Sequence, residues 1–387
     1  MCRRSHWFTI APVINYREGF EVSCDYIALA NKGIQGLHPY QAGKPIEELQ
    51  RELGLEHIVK LASNENPLGP SPMVIEAVKE ASKDIVRYPD SSGFELKKAL
   101  SDKLGVNAEQ ITLGNGSNDV LDLVARAYLE PGKSAVYSQH AFIVYRIAVQ
   151  ACGARPIVTK AKNWGHDLHS MADAIADDTK LLFIANPNNP TGTTVSESSL
   201  VDFLDKVPAD VVVVLDEAYI EYTNGDEETV DGIALLKHYP NLIVTRTFSK
   251  AYGLAALRVG YCVASPEITD VLNRIRAPFN VNSLALAGAI AVLADGDYLD
   301  EGRRVNSAGM AQLERGFTEL GLSFIPSAGN FIAVEFSQDA DEIYQKLLHE
   351  GVIVRPVGVY EMPNHLRVSI GLEQENNVLL DALKKVL

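Results

Sequence analysis

The stretch Val-Val-Val-Val-Leu at residues 211–215 constrains the fold more than any other part of the chain. Five successive apolar residues leave no polar face, so a strand made from them must be covered on both sides. Leu-Leu-Phe-Ile-Ala at 181–185 makes the same demand, and Leu-Ile-Val-Thr at 242–245 nearly so. Further strand candidates lie at 110–113, 135–138, 156–159 and 258–263, with helical patterns at 118–129, 197–206 and 230–238 between them. Apolar strands alternating with helices predict an α/β sandwich, a mostly parallel central sheet with helices on both faces and right-handed crossovers. Beyond about residue 278 the pattern changes. A long helical stretch at 284–321 leads to short strands at 331–336, 352–355 and 366–370, with helices at 339–350 and 375–387. That order predicts a smaller α+β domain. The expected division is an N-terminal arm and the start of the small domain at 1–60, a large α/β domain at 61–280, and a small C-terminal domain at 281–387.

Charge and cysteine usage narrow the function classes. Acidic residues number 50 and basic ones 35, a formal net charge of -15. A chain this acidic is a poor grip for nucleic acid or an anionic membrane. Small anions remain within reach of local arginines, lysines and helix N-termini. Cys2, Cys24, Cys152 and Cys262 form no C-x-x-C pair and have no histidine at metal-ligand spacing. Free thiols in a reducing compartment, and no metal, are the expectation. The longest apolar run, Leu284 to Ala294, is well short of the roughly 20 residues a bilayer requires. Arg3-Arg4 and the short apolar stretch after them are interrupted by Pro12 and lack a cleavage signal, so a cytoplasmic location is expected.

In an open α/β sheet, ligands sit outside the carboxyl ends of the strands. Four of the strands are followed by a residue set with chemistry in it. After Leu113 comes Gly-Asn-Gly-Ser-Asn-Asp (114–119), opening into a helix. Such a turn can present free N–H groups to a phosphate, although a plain helix cap at Ser117 or Asn118 explains it as well. After Ala185 comes Asn-Pro-Asn-Asn-Pro-Thr-Gly (186–192), an irregular loop that sets Asn189 at the strand ends. After Leu215 come Asp216, Glu217, Ala218 and Tyr219. A carboxylate closing an apolar strand needs a cation or a donor, which a protonated ring nitrogen or a structural ion pair would supply. After Thr245 come Arg246, Thr247, Phe248, Ser249 and Lys250, with Arg258 eight residues on. A desolvated lysine there would have a lowered pKa and an available free amine. An amine, a carboxylate, hydroxyl and amide donors and a phosphate cradle together make the set that pyridoxal 5'-phosphate requires.

The motifs N-P-N-N-P-T-G, D-E-A-Y and T-F-S-K-A-Y-G-L-A-A-L-R resemble the type I pyridoxal-phosphate-dependent aminotransferases, the aspartate-aminotransferase fold. Tyr40-x-x-Gly43-Lys44, S-N-E-N-P-L-G-P-S-P (63–72), Arg87-Tyr88-Pro89-Asp90 and L-R-V-S-I-G (366–371) narrow the likeness to the histidinol-phosphate aminotransferases, from about Gly36 to the C-terminus. The resemblance implies that Lys250 condenses with the cofactor's aldehyde and that Asp216 pairs with its ring nitrogen. It implies that Asn189 and Tyr219 bond its phenolate oxygen. Ser117, Asn118, Ser249, Thr247 and Arg258 would hold its phosphate, and Phe142 would stack on its ring where many relatives carry a tyrosine. Tyr40 would reach the phosphate of a partner subunit, which implies a homodimer with shared sites, and with Asn66 would also contact substrate. Arg367 and Arg355 would receive the substrate's anionic group, two guanidinium forks suiting a phosphate or the carboxylates of glutamate.

The activity so implied is transamination of L-histidinol phosphate with 2-oxoglutarate, a step of histidine biosynthesis. An aromatic amino acid aminotransferase is the alternative, because Arg-Pro-Val-Gly-Val-Tyr-Glu-Met-Pro-Asn-His (355–365) puts Tyr360 between the two arginines. Decarboxylation of a phosphorylated amino acid is a further one. A DNA-binding regulator that merely holds the cofactor is disfavoured by the acidic charge and by an arm too short for a winged helix.

Overall fold

The computed structural model describes residues 24–39, 43–223 and 230–387. Strand β1 (Val59–Lys60) comes first in the chain and belongs, by its pairing, with the C-terminal third. The seven strands of the large sheet follow: β2 (Ile111–Gly114), β3 (Ser134–Ser138), β4 (Arg155–Thr159), β5 (Thr179–Ala185), β6 (Val212–Asp216), β7 (Leu242–Thr247) and β8 (Gly260–Val263). Their spatial order is β2-β8-β7-β6-β5-β3-β4. From β7 to β4 all neighbours are parallel, and β8 alone runs antiparallel to both its neighbours.

Two apolar clusters on opposite faces explain the unbroken apolar strands. Along β6, Val213 and Leu215 enter one cluster and Val212 and Val214 the other. Along β5, Leu182 and Ile184 face one way and Leu181, Phe183 and Ala185 the other. Each such side chain contributes about 1.5–3 kcal/mol by leaving water. A strand with both faces covered has no position left for a polar residue until it ends at the rim.

The C-terminal third carries β9 (Ser323–Ile325), β10 (Phe331–Glu335), β11 (Val352–Ile353), β12 (Arg355–Pro356) and β13 (His365–Ser369). An antiparallel sheet in the order β12-β13-β10-β9 packs on the helices Gly296–Glu319, Ala340–His349 and Glu373–Val386. Strand β1 pairs with β11, and Leu49 of the helix Ile46–Leu53 packs with Leu348 and Ile353, so residues 46–60 fold onto this smaller body, whereas Gly33 of the helix Lys32–Gln35 lies against the Gln150 backbone in the helix Ile143–Ala151 of the larger one.

The helical stretch expected over 284–321 is two helices, Ser283–Leu293 and Gly296–Glu319. Ala294 ends the first and Asp295 caps the second, its carboxylate accepting from the Tyr298 N–H at 3.1 Å. The first helix places Ala285, Ala289 and Val292 in the large sheet's cluster. We therefore propose that the large domain extends to about residue 294, rather than ending at 280. Among the described residues no helix is long and apolar enough to cross a membrane.

Candidate active site

The parallel strands carry their last residues to one rim of the sheet. Asp216 ends β6, Asn189 follows β5, and Ser249 and Lys250 follow β7. Because β8 is antiparallel, the residues that precede it reach this same rim, which is how Arg258 arrives there. Arg258 is not the first residue of a strand, as the sequence suggested. It sits in a left-handed turn, φ 57°, just ahead of β8. From the smaller sheet, β12 and β13 bring Arg355 and Arg367, direct register partners, to the same place. Together these residues line one cleft of about 200 Å³.

Asp216 is 5 % exposed. Tyr145 donates to its Oδ2 at 2.7 Å and Thr245 to its Oδ1 at 2.9 Å. Among the described residues it meets hydroxyls and a backbone N–H but no cation. Burial pushes its pKa up, against the opposing pull of those donors. The neighbouring Glu217 is the one held in a structural ion pair. Arg246 Nε donates to Glu217 Oε2 at 2.8 Å and the Gly232 N–H to Oε1 at 2.7 Å. Of the two adjacent carboxylates, Asp216 is therefore the one whose charge calls for a cationic ligand in the cleft.

Lys250 Nζ donates to the Ser63 carbonyl at 3.0 Å. Burial, with the positive charges of Arg367 and Arg258 adding to it against Glu65, lowers its pKa to about 7. Tyr219 is held between two amides, Asn64 Nδ2 donating to its oxygen at 2.9 Å and Asn189 Nδ2 at 3.2 Å. Arg367 Nη1 donates to Asn189 Oδ1 at 2.6 Å, which fixes the orientation of that amide. With two donors filling its oxygen, the Tyr219 hydrogen is left to donate into the cleft. Burial raises the phenol to about 12, so that hydrogen stays in place at neutral pH.

The phosphate end is built by close approach of backbone. Gly116, with φ 80°, caps the helix Ser117–Tyr128 and offers no side-chain cap, so neither Ser117 nor Asn118 is a plain N-cap. A Cβ on Gly116 would lie 2.5 Å from Arg258 Nη2, and one on Gly260 would lie 2.4 Å from the Ser117 nitrogen. The arginine thus rests directly on the turn, and its Nη1 donates to Ser249 Oγ at 3.2 Å. A helix N-terminus, a guanidinium and a hydroxyl converge there, the donor set a phosphate dianion requires. With an uncompensated carboxylate across the cleft and a free amine beside it, the residues fit pyridoxal phosphate.

Most of the expected residues line this cleft: Ser117, Asn118, Phe142, Asn189, Asp216, Tyr219, Thr247, Ser249, Lys250, Arg258, Arg355 and Arg367. Tyr40 lies outside the described residues. Asn66 is a correction. Its Nδ2 donates to the Ala251 carbonyl at 2.9 Å, and it is not among the lining residues. Asn64 takes its place, because a left-handed backbone there (φ 54°) turns the chain and aims that side chain at Tyr219. Tyr145 and Asn64 went unnoticed in the sequence. The two asparagines of Ser-Asn-Glu-Asn were the available signal for Asn64, and nothing local marks Tyr145.

A sequence profile described as "Aminotransferase class I and II" matches residues 56–383. The chain belongs to this family. Among curated members, histidinol-phosphate aminotransferase 2 of Pseudomonas aeruginosa is 61 % identical over 365 residues, covering 94 % of this chain and 99 % of the relative. Histidinol-phosphate aminotransferase 1 of Idiomarina loihiensis is 55 % identical over 93 % of the chain and 98 % of the relative. Among solved structures, the histidinol-phosphate aminotransferase of Sinorhizobium meliloti, in complex with pyridoxal-5'-phosphate, superposes with a TM-score of 0.85. It is 32 % identical over 92 % of this chain and 96 % of that one. For this aminotransferase, then, the expected fold class, a mostly parallel sheet flanked by helices with a smaller α+β body, is the observed one.

Proposed function

We propose that this aminotransferase exchanges the amino group of L-histidinol phosphate with 2-oxoglutarate, using pyridoxal 5'-phosphate. The observation that carries the reading is the juxtaposition of Arg355 and Arg367 with Lys250 and Asp216 in one cleft. Bound there, the cofactor supplies an aldehyde that takes up the amino group and a protonated ring that draws off electron density when the substrate's Cα proton leaves. The chain's own residues do the rest. Lys250 would hold the cofactor at its aldehyde carbon; once the substrate's amine had displaced it there, the freed amine, with its pKa near 7, would take and return the Cα proton as a base. Asp216 holds the proton on the ring nitrogen. Tyr219 and Asn189 donate to the ring's phenolate oxygen, and Phe142 covers the ring face.

The first-turn N–H groups of Ser117 and Asn118, with Ser249, Thr247 and Arg258, bind the cofactor's phosphate. Arg355 and Arg367 take the substrate's phosphate in one half-reaction and carboxylates of 2-oxoglutarate or glutamate in the other. The names of the relatives at 55 % and 61 % identity favour the phosphorylated substrate. They lend no support to an aromatic amino acid, although Tyr360 does line the cleft.

The proposal includes a cytoplasmic homodimer. Ile85, Val86, Tyr88 and Phe94 are between 63 % and 88 % exposed, and Tyr88 stacks on the half-exposed Phe279 at 4.7 Å. A patch of that kind supports burial against a second copy, with Tyr40 reaching the partner's phosphate site. The half-reaction tests the reading. Protein loaded with the cofactor and mixed with histidinol phosphate alone is expected to convert the bound cofactor to its amine form stoichiometrically. Conversion by phenylalanine or phosphothreonine instead, or release of CO₂, would overturn it.

A further inference from the structure

The Tyr145 hydroxyl has no part in the reaction as described, yet it is fully buried and, among the described residues, its hydrogen bond goes to Asp216 Oδ2 at 2.7 Å. Its ring is clamped. It stacks on Phe183 of β5 at 4.7 Å with planes 9° apart, and meets the edge of Phe142 at 5.9 Å and 89°. Two aromatic neighbours from different elements therefore set the direction of the hydroxyl. On the other side, the Thr245 hydroxyl of β7 serves Oδ1 at 2.9 Å. Each carboxylate oxygen thus has one O–H donor, and the Ala218 N–H adds a third.

A base that accepts hydrogen bonds binds a proton less tightly. Burial has the reverse effect on a carboxylate. When a ring nitrogen lies against Asp216, one proton is contested between nitrogen and carboxylate. The weaker base surrenders it. We propose that Tyr145, assisted by Thr245, is a positioning residue that keeps Asp216 ionised, so that the contested proton remains on the cofactor's ring nitrogen. Without the Tyr145 donor the carboxylate becomes the stronger base, the proton crosses to Asp216, and the ring loses its positive charge. The other phenols near Tyr145 are Tyr219 and Tyr360. Tyr145 itself stays a donor throughout the neutral range, because burial and the adjacent carboxylate raise its own pKa.

This inference rests on the proposed use of pyridoxal phosphate, and the test separates the two. Wild type, Tyr145→Phe and Thr245→Val are loaded with cofactor labelled with ¹⁵N in the ring, and the nitrogen resonance is read at pH 7.5. Wild type is expected at the protonated position. Tyr145→Phe keeps the stacked ring and removes one oxygen; its resonance is expected to move toward that of neutral pyridine, and the cofactor to dissociate about tenfold more readily, the loss of one hydrogen bond to a charged group. Thr245→Val is expected to shift the same way and carries the test should Tyr145→Phe not fold. In cofactor-free protein, the ¹³C resonance of the Asp216 carboxyl is expected to titrate at higher pH in Tyr145→Phe than in wild type. Failure of wild type to bind the cofactor would sink the functional reading. A wild type with a protonated ring and variants with the same ¹⁵N and ¹³C positions would overturn this inference alone.

Discussion

Burial of the Lys250 amine should be visible in the stability of the cofactor-free protein. In the unfolded chain the amine titrates at 10.5, and in the folded one at about 7. Between those values the unfolded state holds a proton that the folded state lacks, so stability rises with pH at about 1.36 kcal/mol per unit. From pH 7.5 to 9.5 this one group should add about 2.7 kcal/mol. Lys250→Met keeps a chain of similar length and removes the titration. The assay is urea unfolding of both proteins without cofactor, at one protein concentration, at pH 7.5, 8.5 and 9.5. Every other group titrates in both, so the difference between the two curves isolates Lys250. Wild type is expected to gain on the variant by about 2.7 kcal/mol across the range. Parallel curves would refute the claim that folding desolvates this amine, and a wild type that loses ground as pH rises would reverse its sign.

Replacing Asp216 by Asn should leave the cofactor bound and lower turnover by at least about a hundredfold, since an amide cannot hold the charge that keeps the ring nitrogen protonated; steady-state rates with measured cofactor content check it. Glu217→Gln should destabilise the protein by about 1.5–3 kcal/mol in urea unfolding, because the Arg246 guanidinium, paired at 2.7 Å, would lose its buried anion and keep only the more exposed Asp231, also at 2.7 Å. Gly260→Ala should weaken cofactor binding at least about tenfold in equilibrium dialysis, as a Cβ 2.4 Å from the Ser117 nitrogen displaces the turn that meets the phosphate. Asn64→Ala should lower kcat/KM about tenfold, the cost of removing one donor from Tyr219, while Asn66→Ala should leave it within about twofold.

What the sequence made legible follows from where polar residues are affordable in a doubly covered sheet. The runs 181–185 and 211–215 are apolar up to the rim, so Asp216 stands out as the first charge after its run, whereas Lys250 follows Arg246 of β7 and stands out by its place just past that strand's end. Arg355 and Arg367 could be paired from the two short strands that carry them. Tyr145 could not be read in this way. Within Ile-Val-Tyr-Arg-Ile-Ala it looks like a core tyrosine, and its partner lies 71 residues away. Asn64 depends on a left-handed turn that one side chain does not announce, so Asn66 looked equally good. The helix Ser283–Leu293 is apolar all round, and such a sequence says that it is buried without saying in which domain. Glu217 and Asp216 are adjacent and alike in type; only the position of Arg246 distinguishes the structural carboxylate from the one facing the cleft.

The central claim is that Lys250 is the amine that meets the cofactor's aldehyde, and reductive trapping tests it most directly. Protein incubated with pyridoxal phosphate, treated with borohydride and digested should carry the pyridoxyl group on the peptide containing Lys250, with the label lost in Lys250→Ala. A label on any other lysine, or none on a protein that has taken up the cofactor, would contradict the account.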